Sequence, residues 1–517
     1  MNSFLLIYPP GDKDDVMNDV PPLGLLAISS YMEENCKGIH APIYNFISST
    51  LDEVKKTLLE IRWDEVLVVG ITVMSSYVSS ACKVAQIIRT ISPEVIILAG
   101  GPHITLTGVQ FLHRHLEFDG LVIGDGEEPM AKFALNILEG NIEQKIDGII
   151  TRTTVIESKK ATVQILPPSQ WSNPFEANLQ YGFSRQPVYT DTNGVTHPAV
   201  ALVTSRGCPL ACSFCSIIAM NSKYRSLPPN IVIPWLLKER EKRYFEHIYF
   251  LDADFLISKS RSSSWGDALY DAFQGTVTWS VQANVGHILA LGFDLLCQLK
   301  NDGLVFAELG FEAGNDKQFR FFNKTNFGKI ADVKQSFEAI SLLKRSGIGI
   351  GIDYIMFYPE LTIKELAQNL KFFVEGSLMD TFDNGHYFNE LMLFPGTPLR
   401  LFYEEKQNNS FDIDEVPSVR KFYIDKSVLR IRDIYLDWYR RIYDHQVVSQ
   451  RMKLLEESLI CNDVKRKAKF RLMELKLRHQ PYRILKALIE SNGNSEIIEN
   501  LISSDKLLFR NIMNKVS

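Results

Sequence analysis

The chain has 517 residues, 45% of them hydrophobic and 11% aromatic, which supplies several buried cores and excludes a largely disordered polymer. Its 56 Lys and Arg against 61 Asp and Glu leave a formal net charge of −5, which disfavours bulk binding to nucleic acid or an anionic membrane. No apolar run approaches the roughly 18 residues of a membrane span. The start, Met1 to Pro10, has an apolar stretch of only about five residues and no basic flank, unlike a signal peptide, so a cytoplasmic location is expected.

Residues 1–150 alternate short aliphatic runs with helical patterns. Strands are predicted near 4–8, 42–46, 66–71, 95–98 and 121–123, each nearly continuous in apolarity, as suits a parallel sheet buried on both faces. Between them, 25–35, 51–61 and 79–91 carry apolar residues three and four apart. This alternation predicts a doubly wound, Rossmann- or flavodoxin-like α/β domain with its ligand beyond the carboxyl ends of the strands.

Residues 151–198, with Pro167-Pro168, Trp171 and the turn signal Asn193-Gly194, read as a connecting segment. A second series follows over 199–400, with strands predicted near 199–203, 248–251, 277–281, 305–309, 349–355 and 387–393. Six βα units predict a partial (β/α)6 barrel of TIM type, with chemistry at the carboxyl ends of its strands. Residues 401–517 are rich in charge and helix formers and predict a helical C-terminal region. Its basic cluster, from Lys465 to Arg478, carries Phe470, Met473 and Leu477 at helical spacing, which reads as an amphipathic helix with a solvated charged face.

Cys36, Cys82, Cys297 and Cys461 are scattered singly and read as buried or inert thiols. The other three, Cys208, Cys212 and Cys215, form C-x3-C-x2-C directly after a predicted strand. Three thiolates on one short loop can face a common centre. A four-iron cluster normally takes four, so three protein ligands leave one iron open to a small molecule. A structural zinc would need a fourth Cys or His, and no second pair stands nearby.

Ser205-Arg-Gly-Cys-Pro209 ahead of the motif and Phe214 just before its third cysteine resemble the radical S-adenosylmethionine (SAM) superfamily, over about residues 200–399. The resemblance implies that Cys208, Cys212 and Cys215 ligate a [4Fe–4S] cluster whose fourth iron is chelated by SAM. It implies SAM contacts at Phe214, at Asp252 and Asp254 after the second strand, at Gln282 after the third, and at Glu312 in Gly310-Phe-Glu-Ala-Gly314. Each of these polar residues also has an ordinary reading as a strand-end or turn residue. Residues 351–359 resemble the adenine-lining segment, and 394–399 the loop after the sixth strand.

A doubly wound domain directly before such a barrel resembles the cobalamin-binding domain of the cobalamin-dependent radical SAM group. The matching segments are 21–27 with Gly24, 70–76 with Ser75 and Ser76, 99–103 with Gly100, Gly101, Pro102 and His103, and 124–129 with Gly124, Asp125, Gly126 and Glu127. Glycines there let the backbone approach a flat corrin. The D-x-H-x-x-G motif that supplies a cobalt ligand in many cobalamin proteins is absent, and His103 reads as a turn or supporting residue. Asn45 stands where many relatives have Asp. The competing reading is a module that packs but binds no cofactor.

The resemblance implies an enzyme that cleaves SAM to a 5′-deoxyadenosyl radical and delivers a cobalamin-bound methyl group to an unactivated carbon or phosphorus of a small biosynthetic molecule, as class B radical SAM methylases do. An electron donor such as flavodoxin or ferredoxin is implied. The alternative is a cyclisation, ring contraction, dehydration or other rearrangement on the same architecture. A methylthiotransferase is disfavoured, because its N-terminal domain carries three more cluster cysteines and this one has only Cys36 and Cys82. A non-enzymatic iron–sulfur protein is a third reading.

Overall fold

The computed structural model describes residues 2–11, 21–141, 144–152, 163–182, 186–191, 195–220, 223–380, 385–461 and 463–514. The turn signal Asn193-Gly194 lies outside them.

The first sheet is built from β1 (Asn2–Tyr8), β2 (Ile43–Asn45), β3 (Val66–Thr72), β4 (Ile96–Gly100), β5 (Gly120–Val122), β6 (Ile149–Thr151) and β7 (Leu179–Tyr181). Their spatial order is β6-β5-β4-β3-β1-β2-β7, and a short Ile39–His40 strand also pairs with β1. All are parallel except β6 against β5. The order reverses direction at β1, between β2 and β3, which opens a crevice at the carboxyl edge.

The continuous apolar run of β1 is explained by its two faces. Leu5 and Ile7 enter a core with Val54, Leu58, Ala81 and Ile88, from helices Leu51–Leu59 and Val78–Ile91. Phe4 and Leu6 point the other way, to Leu25, Met32, Met130 and Phe133, from helices Leu23–Asn35 and Glu127–Leu138. Both faces of the sheet are therefore covered.

The second sheet comprises β8 (Val188–Thr190), β9 (Thr196–Leu202), β10 (His247–Phe250), β11 (Thr278–Ala283), β12 (Leu304–Glu312) and β13 (Gly349–Tyr354), in the order β13-β12-β11-β10-β9-β8. Only β8 is antiparallel. Strands adjacent in sequence are adjacent in space, as in an open barrel. The sixth barrel strand expected at 387–393 is reduced to a single bridge, Phe357 to Glu390. Two backbone bonds, Phe357 N to Asn389 O and Leu391 N to Phe357 O, make that bridge. Glu390 accepts from the buried Arg432 and Tyr423, and at Gly396 the chain takes a left-handed turn with φ of 71° that ends any extension.

Beyond the barrel come helices Lys426–Trp438, Val448–Ile460, Val464–Arg478, Gln480–Glu490 and Glu496–Asn514, of which Lys426–Trp438 and Gln480–Glu490 pack on the last barrel helix, Ile363–Glu375. In Val464–Arg478 the residues Phe470, Met473 and Leu477 are buried while Lys465 and Lys467 are exposed and Lys469 and Lys476 half-buried.

Candidate active site

The loop after β9 carries the three cysteines at the carboxyl edge of the second sheet. Its base is clasped by a short antiparallel pair, Ser205–Arg206 against Arg225–Ser226. Its middle is fastened to the segment after β12. Ser213 N donates to Phe322 O at 2.8 Å, Ser213 Oγ to Phe321 O at 3.1 Å, and Asn323 Nδ2 to Ala211 O at 2.7 Å. Leu399 N donates to Ser213 O at 3.0 Å, which ties in the loop after the barrel. Phe214 sits edge-on to Phe322, ring centroids 5.2 Å apart, so it packs the loop down.

Burial pushes the Cys212 thiol up to about 12, opposed by the Lys324 ammonium and reinforced by Glu312, Cys215 and Cys208. Cys208 and Cys215 are raised for the same first reason, burial. Backbone N–H groups counter it, from Leu210 at Cys208 and from Ile217 and Ile218 at Cys215. The three thiols thus share one low-dielectric pocket and feel one another's charge. A bound cation reverses that penalty and ionises them, which is the chemistry of a thiolate-held cluster.

Lys324, itself buried, pairs with Glu312 at 3.1 Å. Glu312 adopts a left-handed φ of 66°, which turns its side chain back toward that ammonium. Asp254 accepts from or shares a proton with His287 Nδ1 at 2.7 Å, and its Oδ1 is buried with no partner among the described residues. It is close enough to raise Cys208, which places an unsatisfied carboxylate oxygen beside the cysteine loop. Asp252 behaves differently. It accepts from Thr204 N at 2.9 Å and Thr204 Oγ1 at 2.8 Å and pairs with Arg261 at 3.3 Å, wholly buried. Its carboxylate is consumed in bracing the ends of β9 and β10. Gln282 is half-buried on β11, opposite Glu308, and its carbonyl accepts from Phe255 N at 2.9 Å.

A cavity of about 640 Å³ lies between the two sheets. Gly24, Gly100, Gly101, Pro102, Gly124, Asp125, Gly126 and Glu127 form its wall on one side. Val203, Arg206, Gly207 and Ile217, which flank the cysteines, and Leu251 and Ala253 after β10 form the other. At Gly101 φ is 96° and a Cβ would lie 2.7 Å from Thr72 Oγ1. At Gly24 a Cβ would meet nothing within 4 Å and would project into open space. Gly24 thus leaves free space, whereas Gly101 is required by the close packing of its own turn against Thr72 and Val73.

Ser75, Ser76 and His103 do not line it. After β3 the chain turns, Tyr77 N donating to Met74 O at 2.9 Å, and only Met74 faces inward. Ser75 Oγ meets His103 Nδ1 at 3.1 Å, and the buried His103 ring points toward Asp414. Burial, then Arg400 and His115, holds His103 down at about 4.

The sequence reading missed Arg206, Arg225 and Trp171. Arg206 pairs with Asp125 at 3.2 Å and with Glu127, Arg225 pairs with Asp125, and Arg206 lies over the Trp171 ring at 4.3 Å. Arg206 stands inside the Ser-Arg-Gly-Cys-Pro segment, so position flagged it although its partner did not. Lys324 and His287 carry no local signal.

Residues 13–134 match the B12 binding domain family and residues 202–373 the radical SAM superfamily. The chain is a radical SAM enzyme with a B12-binding domain. Its cofactors are a [4Fe–4S] cluster, SAM and cobalamin, and the thiol pocket and the glycine-walled cavity fit them. The enzyme is 25% identical over 460 residues to a Pyrococcus horikoshii protein named uncharacterized methyltransferase PH0819, covering 85% of this chain and 92% of that one. It is 25% identical over 327 residues to the anaerobic magnesium-protoporphyrin IX monomethyl ester cyclase of Rubrivivax gelatinosus, over 62% of this chain and 56% of the relative. The fold matches the cobalamin-dependent SAM radical enzyme OxsB with a TM-score of 0.72 at 15% identity, over 100% of this chain and 80% of OxsB. It also matches the radical SAM methyltransferase TsrM of Kitasatospora setae, TM-score 0.63 at 16% identity, over 78% and 76%. No helix among the described residues is long and apolar enough to cross a membrane.

Proposed function

We propose that the enzyme is a cobalamin-dependent methyltransferase acting on an unactivated carbon or phosphorus of a small molecule. One observation carries this reading: a single cavity is walled by the glycine turns of the first sheet and by residues flanking Cys208 and Cys215. Group transfer needs reacting atoms close to contact, and one shared chamber supplies that proximity. Bound there, the cofactors supply SAM cleavage to a 5′-deoxyadenosyl radical and a transferable methyl group.

The chain's own residues bind, orient and exclude water. Cys208, Cys212 and Cys215 hold the cluster, and Phe214 packs their loop. Asp254, Gln282 and Glu312 offer polar groups to SAM, whereas Asp252 acts by bracing two strand ends. Gly24 gives cobalamin room, Gly100, Gly101, Gly124 and Gly126 allow the tight turns that wall its cleft, and Asp125 and Glu127 tie that cleft to the barrel. Val203, Ile217 and Leu251 supply apolar wall. The working units are 1–150 with β7, the barrel 199–400 with β8, and 401–517; the segment 151–198, expected as a mere connector, lends one strand to each sheet. Reduction is by a flavodoxin or ferredoxin in the cytoplasm.

The resemblance to the cyclase supports a second reading, a rearrangement without methyl transfer. Incubation of the reconstituted enzyme with SAM labelled as CD3, reductant, cobalamin and a metabolite extract separates them. Label in a new product together with S-adenosylhomocysteine supports methylation. 5′-Deoxyadenosine with an unlabelled product, and no S-adenosylhomocysteine, supports the rearrangement.

A further inference from the structure

Cys82 is not an isolated thiol. It sits on helix Val78–Ile91, and its Sγ lies 3.3 Å from Nδ1 of His115, the residue that ends helix Val109–Arg114. The same Nδ1 is 3.6 Å from Glu117 Oε1. All three ligand-capable atoms fall within 4.8 Å of one another, and none of the three residues lines the central cavity.

These spacings can be compared with a metal's demands. Tetrahedral zinc at its usual bond lengths sets a sulfur–nitrogen ligand pair about 3.6 Å apart and a nitrogen–oxygen pair about 3.3 Å apart. The separations here, 3.3 Å for sulfur–nitrogen and 3.6 Å for nitrogen–oxygen, each need a shift of only a few tenths of an ångström to meet them. His115 is also oriented as a ligand. Its Nε2 faces Asp414 Oδ2 at 3.0 Å, so Nε2 carries the proton and Nδ1 presents its lone pair toward Cys82 and Glu117. Asp414 is held in turn by Arg114 Nε at 2.9 Å. Glu117 is fixed through its carbonyl, which accepts from Arg89 Nε at 3.1 Å.

We infer that Cys82, His115 and Glu117 form a zinc site, with a water as fourth ligand on its partly open side. Binding releases one proton, from the Cys82 thiol. A thiolate and a carboxylate then neutralise the two positive charges of the ion, so the buried centre is neutral overall. The ion would join helix Val78–Ile91 of the B12-binding domain to the loop after helix Val109–Arg114. Through the His115–Asp414 contact it would extend to the segment beyond the barrel. The role is that of a staple, separate from the iron–sulfur chemistry.

The test uses cluster-reconstituted full-length enzyme, passed over chelating resin, given one equivalent of Zn²⁺ and desalted. Metal analysis should find about one zinc per chain in wild type. Cys82→Ser and His115→Ala should lose it at least tenfold, with iron content unchanged. X-ray absorption at the zinc edge on wild type keeps the test independent of how the variants fold, and should show one sulfur and three nitrogen or oxygen ligands. Three sulfurs would place the zinc on Cys208, Cys212 and Cys215 and overturn the assignment. Wild type that takes up no zinc, or variants that retain it fully, would overturn it as well.

Discussion

Arg206 Nη1 lies 3.2 Å from Asp125 Oδ1, which pairs the residue two positions ahead of Cys208 with the glycine turn after β5 of the other sheet. Glu127 takes the second nitrogen of the same guanidinium, Trp171 supplies an aromatic face at 4.3 Å, and Arg225 shares Asp125. The cavity's two walls are therefore locked by charge close to where the cysteine loop begins.

Arg206→Met should release that lock. Glu127 is only 4% exposed and would be left without this cation, and removing one partner of a buried pair costs about 3–5 kcal/mol. A melting curve of the variant should move down by several degrees with iron content unchanged. Hydroxocobalamin affinity should fall too, because Asp125 and Glu127 line the cavity. Arg206→Lys should recover little of either, since a point charge cannot serve two carboxylates and stack on Trp171.

What the sequence revealed follows the range of each signal. The C-x3-C-x2-C spacing and the glycines after β1, β4 and β5 are local, so both walls of the cavity were legible in the residues alone. The ion pairs were not, because Arg206 and Asp125 stand far apart in the chain and neither residue type names its partner. Asp252 and Asp254 looked alike in sequence. Only the hydrogen bonds of Thr204 show that the first is a brace and that the second keeps an oxygen free. The stretch 387–393 has the composition of a strand, but Glu390 is engaged by Arg432 and Tyr423, and pairing stops at one bridge. Cys82 read as inert because His115 and Glu117 reach it only through the fold.

Single replacement of Cys208, Cys212 or Cys215 by Ala should abolish SAM cleavage, since each removes one of three thiolates from the cluster cage. Cys36→Ala should not, because Cys36 is buried against helix Glu127–Leu138, where its Sγ meets Ala131 O at 3.6 Å. Iron analysis and 5′-deoxyadenosine assays after anaerobic reconstitution check both. Loss of the cluster from the Cys36 variant with retention in the Cys212 variant would reverse the assignment.

His247 should make the protein acid-sensitive. It is wholly buried on β10, bonded to Thr278 Oγ1 at 2.8 Å and Ser280 Oγ at 2.9 Å, and stacked on Tyr189 at 3.9 Å. Burial, with His197 adding, holds it down at about 3. The unfolded chain, with the ordinary value near 6.5, binds a proton that the folded chain refuses. Its stability is therefore full above about pH 6.5 and is lost as pH falls toward 3. Between pH 7 and 5 the wild type should lose about 2 kcal/mol more than His247→Gln in urea unfolding. Equal losses in the two proteins would show that His247 is not held neutral. His103 and His386 act in the same direction but cancel in this comparison.

The cobalamin cleft is best tested at Gly24 rather than Gly101. A side chain at Gly101 would face a left-handed φ of 96° and a clash with Thr72, so a loss of binding there could reflect a broken turn. Gly24 sits in the first turn of helix Leu23–Asn35 and lines the cavity, and a Cβ added there would have no atom within 4 Å. Gly24→Trp should therefore fold normally, keep its iron, and fill space that cobalamin needs. Titration with hydroxocobalamin should give binding near one per chain in wild type and at least tenfold weaker binding in Gly24→Trp. Methylation should be abolished while some SAM cleavage persists, because the cysteine loop is untouched. Equal binding by the two proteins would place cobalamin elsewhere. Unaltered turnover in Gly24→Trp would mean that nothing the reaction needs occupies this cleft, and would favour the rearrangement reading.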